Sequence, residues 1–317
     1  MADINLYPLL LTASLHQKVW GGRRLESEMH KTLPDEGSYG EAWELHDSAT
    51  VANGKLAGKT LADLLTVYGT DLIGVDNDPS DGLPLLAKIL NAEAWLSVQV
   101  HPNDEQAAAL ENQPRGKTEA WIVLAAEDDA KLVIGVKPGT TRESMAQAIR
   151  ENTLEALLVF ADVMAGDVLY IPANTIHAIG PGILLYEIQQ SSNTTYRLYD
   201  WGRMGLDGNP RELHIDKGVQ VSNIESLPDI THPAGDRAIV VDSPYFRTIR
   251  HILPGGESLE LETKGRFQSL TCTDGTFTIT HGESTVTLQK GQTVMIPASL
   301  GVYFLVGNGT MLRSFQP

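Results

Sequence analysis

The hydrophobic residues of this chain fall mostly into short runs that Gly, Pro and Asn interrupt. Runs of this length that are rich in Val, Ile, Thr and aromatic residues predict β-strands. The predicted strands are residues 95–100, 121–125, 132–136, 167–171, 183–189, 276–279, 285–288, 293–296 and 303–306. Many short strands with turns between them favour a β-sandwich or a β-barrel.

Helical periodicity is confined to three short segments in the first half of the chain. Each follows a residue that can accept hydrogen bonds at a helix N-terminus, namely Thr60, Asn103 or Thr141. Leucines recur at i, i+3 and i+4 after Thr60, and Met145 and Ile149 share one face after Thr141. We therefore expect a mainly β protein with short helical insertions in its N-terminal part.

A short internal repeat indicates two β units of the same kind. Residues 166–173 and 291–298 both have a Gly, four further residues and then Ile-Pro-Ala. A Pro in this place ends a strand where its missing N–H costs little. The Pro-containing residues 223–235 fit a connection, so we predict one domain over residues 1–225 and a second over residues 236–317.

Composition excludes some functions. The chain has 317 residues and a formal net charge of −16, which argues against a general nucleic-acid binder. It lacks the run of about 18 apolar residues expected of a membrane-spanning helix. Residues 6–15 look like the core of a signal peptide, but Asp3 precedes them where a basic residue is expected. Together with a single cysteine, Cys272, this predicts a cytoplasmic protein.

Polar residues that suit a metal ion are clustered around one strand. Alternation places Ser97, Gln99 and His101 on one face and apolar residues on the other. Glu119 enters the next strand, and His177 follows the first copy of the repeat. Each histidine alone is more often a hydrogen-bonded structural residue. As a set, two imidazoles and a carboxylate leave coordination positions open for water or substrate.

These spacings resemble the cupin superfamily. Residues 166–177 match its second motif, G-x5-P-x-G-x2-H, with Asn174 in place of the second glycine, a position where Asn tolerates left-handed backbone. The first motif, H-x-H-x3-4-E, is less well kept, because Gln99 replaces the first His and Glu119 lies 18 residues after His101. The resemblance implies two cupin-type β-barrels, or jelly rolls. Val302 takes the place of the second-motif histidine in the C-terminal unit, which we expect to bind no metal.

Four longer stretches resemble, in order, the type I mannose-6-phosphate isomerase family. They are Gln-Val-His-Pro-Asn-Asp, Gly-Lys-Thr-Glu-Ala-Trp, Ile-Pro-Ala-Asn-Thr-Ile-His-Ala and Tyr-Glu-Ile-Gln-Gln-Ser-Ser-Asn-Thr-Thr-Tyr-Arg. Val-Trp-Gly-Gly and Gly-Glu-Ala-Trp-Glu near the N-terminus resemble it as well. The resemblance covers essentially the whole chain, at the length of the short bacterial form. It implies an enzyme that interconverts mannose 6-phosphate and fructose 6-phosphate through a cis-enediol(ate), with one Zn²⁺ per chain.

The resemblance also implies roles for individual residues. The zinc ligands would be Gln99, His101, Glu119 and His177. The catalytic residues would be Arg197, Glu187 and Lys117, and the substrate-binding residues Ser97, Lys88 and Arg203. Arg203 stands where longer relatives carry a lysine, which keeps the charge but changes the geometry of a phosphate contact.

Several alternatives remain open at this stage. Glu187 is the first candidate for the general base, with a metal-bound water or groups beside His101 as rivals, and it could equally support the zinc ligands. Trp20, Trp43 and Tyr196 are candidates for sugar contacts, although aromatic residues of β proteins more often lie in the core. An isomerase of free sugars or other aldose phosphates, a silent sugar sensor and an iron-dependent dioxygenase are the competing functions. Either a monomer or a homodimer fits the sequence.

The acidic total sets a requirement on the implied substrate, a phosphate dianion. The overall field of a −16 chain repels such an anion, so binding must rely on local positive charge. The ion and Lys88, Lys117, Arg197 and Arg203 are the expected sources of that charge.

Overall fold

The structure is a computed structural model that describes residues 5–317, and it is mainly β. Asp3 and the first residues of the predicted domain 1–225 therefore lie outside the described residues. The strands are β1 (Leu9–Thr12), β2 (Ser14–Gly22), β3 (Tyr39–Leu45), β4 (Thr50–Val51), β5 (Leu85–Ala92), β6 (Val98–Val100), β7 (Glu119–Ala126), β8 (Lys131–Val136), β9 (Leu158–Asp162), β10 (Val168–Ile171), β11 (Ala178–Ile179), β12 (Ile183–Gln190), β13 (Tyr196–Tyr199), β14 (Ile230–Thr231), β15 (Arg237–Asp242), β16 (Arg247–Glu262), β17 (Gln268–His281), β18 (Ser284–Gln289), β19 (Thr293–Ile296) and β20 (Val302–Phe315).

The three predicted helices are confirmed, with the capping residues expected of them. The α-helices are α1 (Arg24–Ser27), α2 (Leu61–Tyr68), α3 (Thr70–Ile73), α4 (Asp104–Glu111), α5 (Arg142–Arg150) and α6 (Ile215–Val221). The side chains of Thr60, Asn103 and Thr141 each accept the backbone N–H three residues later, which satisfies one of the donors left free at a helix start. Short 3-10 turns occur at residues 54–56, 79–81, 154–157 and 298–300.

An antiparallel seven-stranded sheet dominates the N-terminal part. Its strand order is β14-β10-β7-β12-β5-β3-β2. A three-stranded sheet, β11-β8-β9, and a two-stranded sheet, β13-β6, accompany it. The strands β5 and β12 at the middle of the large sheet are buried along their whole length, so side chains on both faces have packing partners.

The second large sheet takes strands from both ends of the chain. Its order is β15-β16-β20-β17-β19-β1-β4, with β18 paired to β17. Strand β1 is antiparallel to β19, with Leu9 opposite Met295 and Leu11 opposite Thr293. The N-terminal strand is therefore part of the C-terminal sheet and lies across the predicted boundary between residues 225 and 236.

Buried polar contacts also join the two sheets. The Tyr186 hydroxyl on β12 lies 3.0 Å from the Ser314 hydroxyl on β20. Lys31 pairs with the fully buried Glu44 at 2.5 Å, and the Thr293 hydroxyl donates to the same carboxylate. Alternation along β12 directs Tyr186 toward the C-terminal sheet and Glu187 toward the opposite face. One face of the seven-stranded sheet thus packs on the second sheet, and the other face is available for a site.

Candidate active site and metal centre

Two histidines and a glutamate from distant parts of the sequence meet inside the N-terminal part. His101 follows β6, Glu119 begins β7, and His177 precedes β11. One ligand atom from each lies within 4.8 Å of the others, and all three side chains are buried. The sequence predicted this grouping from alternation and spacing, and the fold brings the three residues together.

The two imidazoles are oriented as metal ligands require. Nδ1 of His101 lies 2.9 Å from the Thr194 carbonyl oxygen, and Nδ1 of His177 lies 2.9 Å from the Thr175 carbonyl oxygen. A carbonyl accepts a proton donor, so both rings carry the proton on Nδ1 and present an Nε2 lone pair. These Nε2 atoms lie 3.6 and 3.2 Å from the Glu119 carboxylate.

The electrostatics of this group also suit a cation. Burial is the largest cause that lowers the pKa of His101 and of His177, so both rings are neutral at neutral pH. Glu119 Oε1 is buried and has no hydrogen-bond partner among the described residues. The Lys117 ammonium contacts Glu119 and lies 3.0 Å from His101 Nε2, so these same atoms already accommodate a positive charge. The residues present therefore fit a divalent metal ion.

Asn174 holds the metal-site strands in place. Its backbone φ is +74°, in the left-handed region, which is the reason for expecting Asn where the cupin motif has Gly. From this turn its backbone N–H donates to the His101 carbonyl at 2.7 Å, and its side-chain amide donates to Gln106. The turn that leads to His177 is thereby tied to the chain around His101.

Gln99 connects the metal group to Arg197. Its backbone exchanges 3.0 Å hydrogen bonds with His177, and it lies directly opposite Arg197 in the β13-β6 pair. The Gln99 amide nitrogen lies 3.3 Å from His177 Nε2. Because directly opposed residues of antiparallel strands have side chains about 5 Å apart, the three side chains form one continuous surface.

Gln99 and Arg197 line a cavity of about 430 Å³, whereas His101, Glu119 and His177 are not part of its lining. The predicted site residues that line the cavity are Lys88, Ser97, Gln99, Lys117, Glu187 and Arg197. Trp20 and Trp43 line it as well, as the sugar-contact alternative requires, although Trp20 is also packed in a core cluster. Tyr196 faces a neighbouring cavity of about 680 Å³ on the other side of residues 191–196.

Lys88 and Glu187 form a buried ion pair at the centre of the cavity wall. The two residues are directly opposite each other on β5 and β12, and Lys88 Nζ lies 2.9 Å from Glu187 Oε1. The Trp121 indole N–H donates to the other carboxylate oxygen at 2.9 Å. Burial opposes ionisation of Glu187, but the ammonium groups of Lys88 and Lys117 outweigh it and lower its pKa to about 2. Glu187 is therefore a carboxylate throughout the neutral range.

Glu41 is a buried cavity residue that the sequence analysis did not single out. Its carboxylate accepts from the Trp43 indole N–H at 2.6 Å and lies 3.0 Å from Lys18 and 3.9 Å from Lys88. Burial raises its pKa, but the two lysines prevail and the net shift is downward. The stretch Gly-Glu-Ala-Trp-Glu carried the signal, yet its strand is buried on both faces and shows no alternation that would set Glu41 apart.

The structure places only one of the two predicted arginines at the cavity. Arg197 lines the cavity, whereas Arg203 does not, because its guanidinium is bonded to Asp200 and to the Trp95 carbonyl. Arg211, which was not predicted, lines the cavity and shares Asp200 with Arg203. No local pattern marks Arg211 in the sequence, since it lies in a Gly- and Pro-containing loop whose path depends on tertiary contacts.

Lowering the pH should remove the contribution that the ionised Glu187 side chain makes to the stability of the fold. A carboxyl whose folded-state pKa is below its unfolded value of about 4.3 stabilises the fold above that value, and this is lost as pH falls toward the folded pKa. The free energy of unfolding should be higher for wild type than for Glu187→Gln at pH 6. This difference should shrink by on the order of 1–3 kcal/mol between pH 6 and pH 3. Urea unfolding of the metal-free proteins measures it. The exposed Glu105→Gln serves as control, and an unchanged difference for Glu187→Gln would contradict the assignment.

The fold and site define the class of this protein as a β-sheet enzyme with a cationic cavity above a histidine–carboxylate group that can hold a metal ion. Family models assign the particular family. Residues 9–121 match the model for the catalytic domain of phosphomannose isomerase type I, and residues 237–316 match the cupin domain of mannose-6-phosphate isomerase. The chain belongs to the type I phosphomannose isomerase family, as its sequence motifs predicted.

Individual relatives agree over nearly the full length. The chain is 36% identical to a mannose-6-phosphate isomerase of Streptococcus mutans, over 97% of this chain and 98% of that protein. It is 34% identical to mannose-6-phosphate isomerase ManA of Bacillus subtilis, over 95% and 96% of the two chains. The crystal structure of the mannose 6-phosphate isomerase from Bacillus subtilis superposes with a TM-score of 0.86 at 28% identity, covering 98% of this chain and 99% of that one.

None of the helices in residues 5–317 has both the length and the apolar character needed to cross a membrane.

Proposed function

We propose that this enzyme interconverts mannose 6-phosphate and fructose 6-phosphate in a metal-dependent reaction that passes through a cis-enediol(ate). The observation that carries the proposal is the buried His101, Glu119 and His177 group beside a cavity lined by lysine and arginine side chains. The names of the relatives support the substrate pair. The proposal covers zinc as the metal, although other divalent ions prefer the same donor types.

The metal would be held by His101, Glu119 and His177, with the Gln99 amide as a fourth ligand through its oxygen. When bound, such an ion acts as a Lewis acid toward the sugar oxygens of the reacting carbons. Gln99 is on the cavity wall, so the site opens toward a bound sugar. Ser97 and the indoles of Trp20 and Trp43 would contact the sugar hydroxyls and the apolar face of the sugar.

In this proposal, other cavity residues transfer the proton and stabilise the charge that develops on the substrate. Glu187 is proposed as the proton acceptor, in its ionised form because of Lys88 and Lys117. Its low pKa limits its basicity, so Lys88 must move away from the carboxylate, or pair with the substrate, as the proton is transferred. Lys117 and Arg197 line the cavity and would stabilise negative charge that develops on the reacting oxygens.

The C-terminal part has a structural role in this proposal. We propose two cupin-type barrels, over residues 1–225 and 236–317, of which the first alone binds metal and lends its strands β1 and β4 to the sheet of the second. Val302, at the position equivalent to His177, is 43% exposed and has no atom that could ligate a metal. The contacts of Tyr186 and Glu44 with this part hold the back of the catalytic sheet. A cytoplasmic location and the choice between monomer and homodimer stay predictions from the sequence.

A coupled assay for fructose 6-phosphate tests the central claim. The purified protein with mannose 6-phosphate should form fructose 6-phosphate, and prolonged chelation followed by desalting should remove at least about 99% of the rate, since the ion provides several kcal/mol of charge stabilisation. Zinc added back should restore it. Product formation that is unaffected in protein shown to be free of metal would overturn metal dependence, and no product from metal-loaded protein would overturn the function.

A further inference from the structure

Each lysine that lines the cavity has a carboxylate partner within the protein. Lys18 and Lys88 contact Glu41, Lys88 also contacts Glu187, and Lys117 contacts Glu119. The pairs are buried or half-buried, so these charges compensate one another locally. The lysine side of the cavity therefore offers hydrogen-bond donors but no surplus positive charge for a dianion.

The arginine side of the cavity is different. Arg197, Arg203 and Arg211 are close to two carboxylates, those of Asp200 and Glu212, which leaves one positive charge uncompensated among the described residues. Arg197 makes one hydrogen bond through its guanidinium, from Nη1 to the Glu212 carbonyl at 2.9 Å, and its buried Nε has no partner. Burial and then the neighbouring charge of Arg211 lower the pKa of Arg197. Cations crowded in this way indicate a place for an anion.

The chain path explains why Arg211 is at the cavity and Arg203 is behind it. Met204 and Pro210 form a bridge that closes residues 205–209 into a turn, so Arg203 and Arg211 flank the neck of one loop. Arg203 is turned toward the Trp95 carbonyl, away from the cavity. Arg211 donates to Asp200 from Nε at 2.7 Å and from Nη2, while its Nη1 has no acceptor among the described residues.

We propose that Arg211 binds the phosphate group of the substrate and makes the enzyme specific for a sugar phosphate monoester, with Arg197 adding positive charge nearby. The inference rests on the proposed function and assigns the phosphate end of the same cavity. Arg211 bonded to Asp200 keeps a fixed guanidinium plane, and its free edge can donate to phosphate oxygens. Asp200 and Arg203 are positioning residues that hold Arg211 in place.

The hydroxyl and amide groups nearby complete a site for a phosphate. Asn193 and Thr195 line the same cavity as Arg197 and Arg211. They belong to residues 191–196, whose Thr194 carbonyl also orients His101. The phosphate end and the metal group thus share one loop, which fixes the separation between the phosphate and the reacting carbons of the sugar.

The test compares substrates with and without phosphate in the metal-loaded enzyme. Arg211→Ala should raise KM for mannose 6-phosphate about 10- to 100-fold, the usual loss on removing a hydrogen bond to a charged group. With free mannose at high concentration as the substrate, we expect the rate to stay within about twofold of wild type, because free mannose has no phosphate to contact Arg211. Inhibition by inorganic phosphate should weaken in parallel. Arg142→Ala, on α5 and outside the cavity, is the matched control for loss of a surface arginine.

Further variants keep the result interpretable. Arg211→Gln retains a donor toward Asp200 without the charge, and should show the same selective rise in KM with metal content and circular dichroism unchanged. Asp200→Asn should raise KM for the phosphate substrate, with the metal content at the wild-type level. Wild-type KM and phosphate inhibition in Arg211→Gln would overturn the proposal, as would equal losses on both substrates. A wild-type enzyme that forms no fructose 6-phosphate would instead overturn the proposed function, while phosphate binding by calorimetry would still test Arg211.

Discussion

Replacing His177 by alanine should abolish stoichiometric metal binding and lower kcat/KM for mannose 6-phosphate by at least about 10³-fold, on the order of 4 kcal/mol of transition-state stabilisation. Nε2 of His177 lies 3.2 Å from Glu119 Oε1. The backbone N–H and C=O of His177 are both hydrogen-bonded to the backbone of Gln99, which fixes the position of the imidazole. Without this imidazole, the buried metal ligands are reduced to a carboxylate and one imidazole, which hold a divalent ion weakly.

Metal content by elemental analysis and the coupled assay measure the two effects separately. The control is His232→Ala, because His232 is an exposed histidine that contacts Asp167 and lies outside the cavity lining. Undiminished metal in His177→Ala would show that the ligand set is wrong. Full metal loss with unchanged turnover would show instead that the ion has no role in the reaction.

The proximity of His101, Glu119 and His177 was predictable in part because some of its signals are local and periodic, while their role as metal ligands stays a prediction. Alternation around Gln99 needs only that a strand has two faces, and β6 has apolar Val98 and Val100 packed in the core on the other side. The left-handed turn at Asn174 is equally local, since the residue type itself tolerates that backbone. Capped helices were predictable for the same reason.

Features that depend on contacts between distant residues could not be predicted from the sequence. Strand β5 is an apolar run interrupted only by Lys88 and Asn91, and a run buried on both faces has no alternation to reveal it. The pairing of β1 with β19 joins residues almost 300 positions apart, so no local pattern could predict it. Arg211 was not predicted for the same reason. Its position at the cavity depends on its hydrogen bonds to Asp200 and on the path of the loop that begins at Arg203.

Replacing Arg197 by alanine should lower kcat about 10²- to 10³-fold on mannose 6-phosphate and by a similar factor on free mannose, with the metal retained. This expectation differs from that for Arg211 because Arg197 lies directly opposite Gln99 on the neighbouring strand. A guanidinium beside a proposed metal ligand is near the reacting carbons, where an oxyanion develops whether or not the sugar carries phosphate. Removal of one such donor from a preorganised site typically costs this much in kcat.

Initial rates on both substrates, with metal analysis of each preparation, check the expectation for Arg197. Arg197→Lys is the matched variant, because it keeps the charge without the planar fork and should recover part of kcat. A loss confined to mannose 6-phosphate would reassign Arg197 to the phosphate alone. In that case Lys117 would be the one protein cation that stabilises charge at the reacting carbons. Lys117 already contacts Glu119 and His101.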